Sequence, residues 1–97
     1  MTVHHAEAVV TAGRKVHDQV WSNYWREGKT ELRPDQVINL IRDVRVTAHI
    51  TEERLPTELL LLLAQARTAQ EENGSMVSLA KLIEALKLVF LPPRPGV

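Results

Sequence analysis

Ninety-seven residues have room for one modest hydrophobic core, burying roughly 60–65% of the surface that the unfolded chain exposes. Twelve basic and twelve acidic side chains cancel, and they cancel locally: two against two over residues 1–25, six against six over 26–54, four against four over 55–97. No stretch has the basic excess that nucleic-acid binding draws on, and the absence of cysteine excludes disulfides, thiolate zinc sites and cysteine nucleophiles.

Met1-Thr2-Val3-His4-His5 has no basic stretch followed by an apolar one, so no secretory signal is expected at this end. The longest apolar run, Leu59 to Ala64, is far short of the ~20 residues of a membrane span. The expected location is the cytoplasm.

The first helix is expected from about Val3 to Arg26. Val3, Ala6, Val9, Val10, Gly13, Val16, Val20 and Tyr24 recur at three- and four-residue steps, with Val16 and Val20 in the core. Gly13 costs about 1 kcal/mol against alanine in a helix interior. Because it falls on the apolar stripe, close approach of another helix is the expected compensation. His17, Trp21 and Trp25 follow one another at four-residue steps on a neighbouring flank. Gly28 reads as the stop.

After a linker over 29–33, Pro34 opens the second helix at the position where proline is favoured, and Asp35 suits its first turn. Val37, Ile38, Leu40, Ile41, Val44 and Ala48 form its stripe, with Val37, Leu40, Ile41 and Val44 in the core. Arg42 and Arg45 flank Asp43 on the polar side. With Glu27, Glu31 and Asp35 interleaved among the preceding basic groups, self-neutralising surface pairs are expected here.

Thr51 to Arg54 fits a short capped turn, and Pro56 prevents a continuous helix across it. The third helix is expected over 56–73. Its leucine run is apolar on almost every side, since successive residues lie about 100° apart. Leu59, Leu62, Leu63 and Ala66 make the core face, and Leu60 joins the core. Leu61 falls off that face. The pair Asn73-Gly74 ends the helix.

Ser75 or Ser78 can cap the fourth helix, expected to about residue 90. Its stripe is Met76, Leu79, Leu82, Ile83, Leu86, Val89 and Phe90. Leu79, Leu82, Ile83, Leu86 and Phe90 belong to the core, while Leu88 lies off the stripe. Pro92, Pro93 and Pro95 then give a short extended tail.

The expected fold is all-α: one domain over 1–91, a compact four-helix bundle or two packed helical hairpins with short connections, and a proline-rich tail over 92–97.

Candidate chemistry is sparse. His4 and His5 are adjacent and would point about 100° apart on a helix, so no metal site is expected even with Glu7, His17 or His49 recruited. Helix capping accounts for Ser75 and Ser78, and solvated charge accounts for Glu52-Glu53 and Glu71-Glu72. Neither a catalytic centre nor a cofactor is expected. The apolar surplus is more informative. His17, Trp21 and Trp25 either fill an internal helix crossing or form a recognition surface, and Leu61 and Leu88 lie off the stripes of their helices. These five residues are assigned to a protein interface, since a small monomer has limited capacity to cover them all. The expected function is a protein-interaction module, adaptor, assembly factor or regulator, homodimeric or bound to another protein. The alternative is a helix-turn-helix DNA-binding regulator using helices 56–73 and 76–90. Its would-be recognition helix begins Ser75-Met76-Val77-Ser78, with Lys81 and Lys87 as its only basic groups.

Overall fold

The computed structural model describes residues 3–72 and 74–91, with backbone alone for 3–6. The tail from Pro92, the stop at Asn73 and the side chains of His4 and His5 lie outside the described residues. In order come α1 (Val3–Val20), a π-helical turn (Trp21–Trp25), β1 (Glu31–Leu32), α2 (Pro34–Ala48), a 3₁₀ turn (Glu52–Arg54), α3 (Thr57–Glu72), β2 (Val77–Ser78) and α4 (Leu79–Phe90). The fold is all-α, and two packed helical hairpins describe it best: α1–β1–α2 and α3–β2–α4. The loops of the two hairpins meet in a two-residue antiparallel ladder that pairs Glu31 with Ser78 and Leu32 with Val77. None of the described helices is long and apolar enough to cross a membrane.

Local chemistry sets the helix ends. At the end of α1 the chain widens into a π turn, with the Arg26 N–H donating to the Trp21 carbonyl five residues back. Gly28, at φ +88°, then closes it. Pro34 begins α2 as expected, and the Arg33 N–H just before it donates to Gln36 Oε1 at 3.0 Å. His49 ends α2 in the left-handed conformation. Pro56 precedes α3, its carbonyl accepting from the N–H groups of Leu59 and Leu60.

The start of α4 departs from the expected stripe. Met76 lies outside the helix and is exposed, because the backbone around it turns into β2. Ser78 stands at the cap position without a side-chain cap bond, and the Leu79 N–H, an orphan donor at a helix start, bonds to the Thr30 carbonyl at 2.9 Å. The opposite loop thus supplies an acceptor at the start of α4.

The helices form a ring. α1 packs against α2 and α4, α2 against α3, and α3 against α4, the last seam being the narrowest. Val16, Val20, Val37, Ile41, Val44, Leu59, Leu62, Leu63, Ala66, Leu79, Leu82, Ile83 and Leu86 are buried. Leu40 and Phe90, also expected in the core, are half-buried. The ladder contributes Leu32 and Val77 to the same core.

The ring closes between the first helix and the last. A Cβ at Gly13 would lie 2.7 Å from Val89 Cγ1 and 3.2 Å from Val89 Cβ. Arg14 lies over the Phe90 ring, 5.2 Å from its centroid, on the same seam.

Alanine at 13 would gain about 1 kcal/mol of helix propensity against an overpacking cost of about 1–3 kcal/mol. Rotating Val89 cannot relieve a contact to its own Cβ, so the steric cost wins. Gly13→Ala is expected to lower stability in urea unfolding by about 1 kcal/mol, and adding Val89→Gly, which removes both contacting atoms, should recover most of the loss relative to Val89→Gly alone. An unchanged or raised midpoint for Gly13→Ala would remove the close-approach explanation.

Candidate protein interface

Two apolar surfaces remain outside the core. The first is a groove along the narrow α3–α4 seam. Its walls carry Leu61 and Leu62 from α3 and Ala85 and Leu88 from α4. Leu61 is 62% exposed and Leu88 61% exposed, although both are among the most apolar residues of the chain. Glu58 and Gln65 edge the groove on the α3 side, and Lys81 and Glu84 on the α4 side. A second shallow concavity begins at Leu61 and Gln65 and runs past Ala64 and Thr68 toward Ser75. Leu61 therefore stands where two concave surfaces meet.

Helix geometry explains the exposure. Leu59, Leu62, Leu63 and Ala66 face inward at three- and four-residue spacing and are buried, so Leu61 is carried to the far side. On α4, Leu82, Ile83 and Leu86 take the inward arc, which leaves Leu88 outside. The groove brings Leu61 and Leu88, assigned to an interface from opposite halves of the second hairpin, onto one surface.

The second surface is an aromatic ladder at the C-terminal end of α1. His17 stacks on Trp21 with ring centroids 6.1 Å apart, and Trp21 stacks on Trp25 at 5.8 Å. His17 also meets Phe90 of α4 edge-on at 5.0 Å. Trp21 and Trp25 are about two-fifths exposed. The His17 side chain is only 13% exposed, its Nδ1 3.1 Å from Asp18 Oδ1. Its Nε2 is buried with no hydrogen-bond partner among the described residues. His17 thus serves the α1–α4 contact, while the two tryptophans remain partly exposed.

No three His, Asp or Glu side chains come together as a metal-holding group among the described residues. At the start of α4 the outward positions are Ala80, Lys81 and Glu84, whose two charges cancel. Among the basic residues, Arg33 pairs with Asp35 through Nε at 3.1 Å. Arg67 forks onto Glu52 with bonds of 2.7 and 2.9 Å, tying α3 to the 3₁₀ turn. Arg33–Asp35 is one of the surface pairs expected with Glu27, Glu31 and Asp35, whereas no ion pair joins Arg42 or Arg45 to an acidic residue among the described residues. Compared with protein families, curated proteins and solved structures, the chain matches none.

The Arg67 fork holds the Glu52 carboxylate below its ordinary value of 4.5 and raises the Arg67 guanidinium in turn. A depressed folded-state carboxylate adds stability above its unfolded value and loses that stability as pH falls through the lowered value. The thermal midpoint of the wild type should therefore exceed that of Glu52→Gln near neutral pH. The gap should close below the ordinary carboxylate range and shrink in high salt, because both groups are partly exposed. A gap independent of pH would assign the effect of the substitution to packing.

Proposed function

We propose that the chain is a small protein-interaction module whose docking face is the α3–α4 groove, closed by the same face of a second copy. The observation that carries this reading is the pair Leu61 and Leu88, each more than 60% exposed, facing one groove at the narrowest seam of the fold. Covering such an apolar helix face is how helix-in-groove recognition gains its affinity. A second copy is favoured by the rim. The rim carries Lys81 beside the acidic Glu58 and Glu84, so a two-fold arrangement that sets Lys81 of one copy against either carboxylate of the other pairs unlike charges. A formal net charge of zero leaves no long-range repulsion between copies. The role is adaptor-like or regulatory, in the cytoplasm, with binding rather than catalysis as the activity.

The same rim supports protein docking over duplex binding. A recognition helix needs cationic groups beside its base-reading positions, and the outward start of α4 carries one lysine with one glutamate.

Sedimentation equilibrium tests the reading. Leu61→Glu and Leu88→Glu replace exposed side chains, so each should leave the folded monomer within about 0.5 kcal/mol of the wild type. Each removes a central apolar anchor worth about 2 kcal/mol from both copies, so the dimer Kd should rise by about a thousandfold. A wild type that stays monomeric at high micromolar concentration, or a dimer unaffected by both substitutions, contradicts the proposal.

A further inference from the structure

A further concavity lies on the opposite flank of α3. By helical period, Leu63 and Arg67 point about 160° away from the arc of Leu61 and Gln65, and they help line a cavity between α2, α3 and the 3₁₀ turn. Its volume is about 150 Å³, room for a single ring, and it is partly open, with polar as well as apolar atoms on its accessible walls. The hydrocarbon lining comes from Ile38, Ile41, Leu55 and Leu63. Ile38, Ile41, Arg42 and Arg45 follow one another at helical three- and four-residue steps, so one face of α2 presents both the apolar lining and two guanidinium groups.

The charges around this cavity do not cancel. Three arginines line it, 42, 45 and 67, against the single carboxylate of Glu52. Glu52 is occupied by the fork of Arg67. Arg45 Nη1 reaches the Ile50 carbonyl at 3.5 Å, the outer limit of a hydrogen bond, and the Arg45 charge helps to lower the Glu52 carboxylate without forming an ion pair with it. Arg42 is exposed and makes no ion pair among the described residues. Two guanidinium groups at a ring-sized cavity with an aliphatic floor form a set suited to one anionic head on one small hydrocarbon body, because a guanidinium fork matches a carboxylate bidentately.

We infer that the α2–α3 cavity binds a small organic carboxylate, with a single ring or short hydrocarbon tail against Ile38, Ile41, Leu55 and Leu63 and its carboxylate between Arg42 and Arg45. The site shares no lining residue with the α3–α4 groove, so the inference stands apart from the docking proposal.

Benzoate is the probe, titrated into the full ¹⁵N-labelled chain and followed by amide shifts, with benzyl alcohol as the uncharged comparator. Saturable shifts are expected at the amides around Ile38, Arg42, Arg45, Leu55 and Leu63. Benzyl alcohol should bind at least about tenfold more weakly, and Arg42→Gln/Arg45→Gln should weaken benzoate by about tenfold or more, since each charge-assisted bond outweighs a neutral one. The dispersion of the variant's own spectrum checks its fold. Should the double variant unfold, Arg42→Gln alone carries the test, with severalfold weakening expected. Shifts that never saturate or that spread over the whole surface overturn the inference. So does equal binding of benzyl alcohol, or benzoate affinity untouched by the arginine substitutions in a folded variant.

Discussion

Gly13 lets α1 lie directly against Val89 of α4, and this contact between the two ends of the chain closes the helices into a ring. The other helix contacts join elements adjacent in sequence and form at a small cost in loop closure. The α1–α4 seam is different: it brings together residues separated by most of the chain, and it needs a position without a side chain to do so. Its flanks add the Arg14–Phe90 and His17–Phe90 contacts. Once α4 is committed to α1 in this way, its other side meets α3 only along a narrow line. The groove that holds Leu61 and Leu88 is the geometric consequence.

The loop ladder reinforces that arrangement from the other end. Four residues pair across two loops, bury Leu32 and Val77, and let Thr30 cap α4. The two hairpins are thereby tied both at their loops and at their outer helices. A fold held at both places can leave one seam open without losing its core, and this is what makes an exposed leucine pair compatible with a stable monomer.

Much of this was legible in the residues, and the parts that were not share a cause. The helix stripes follow a 3.6-residue period that local order makes visible, and the Gly13 approach could be inferred because a glycine on an apolar stripe lacks any other benefit. The ladder left no trace, since two-residue strands are too short to alternate. Met76 fits the spacing of α4, but the pairing of Val77 with Leu32 is a long-range event that outweighs local helix preference. The π turn at Trp21 to Trp25 also leaves no period of its own. Leu61 and Leu88 were each visible as residues off their stripes, but their sharing of one groove is a fact of tertiary packing. The cavity arginines were not legible as a set: Asp43 is their neighbour in sequence, yet on a helix residues one or two apart do not face each other, and Arg42 and Arg45 come together with Arg67 and Glu52 only through the packing of α2 on α3.

α3 thus works on three sides: inward with Leu59, Leu62, Leu63 and Ala66, toward α4 with Leu61 and Gln65, and toward α2 with Arg67. A helix built from five successive leucines can do this because it has no wholly polar face in its first half. The α4-facing side is the proposed self-complementary docking surface. Leucine and alanine methyl spectra recorded as the protein is diluted from millimolar to low micromolar concentration test this most directly. Concentration-dependent shifts confined to Leu61, Leu62, Ala85 and Leu88 are expected, with core methyls such as Leu59 and Leu86 unmoved. Spectra that do not change at the groove across that range, or changes centred on Trp21 and Trp25 instead, would contradict it.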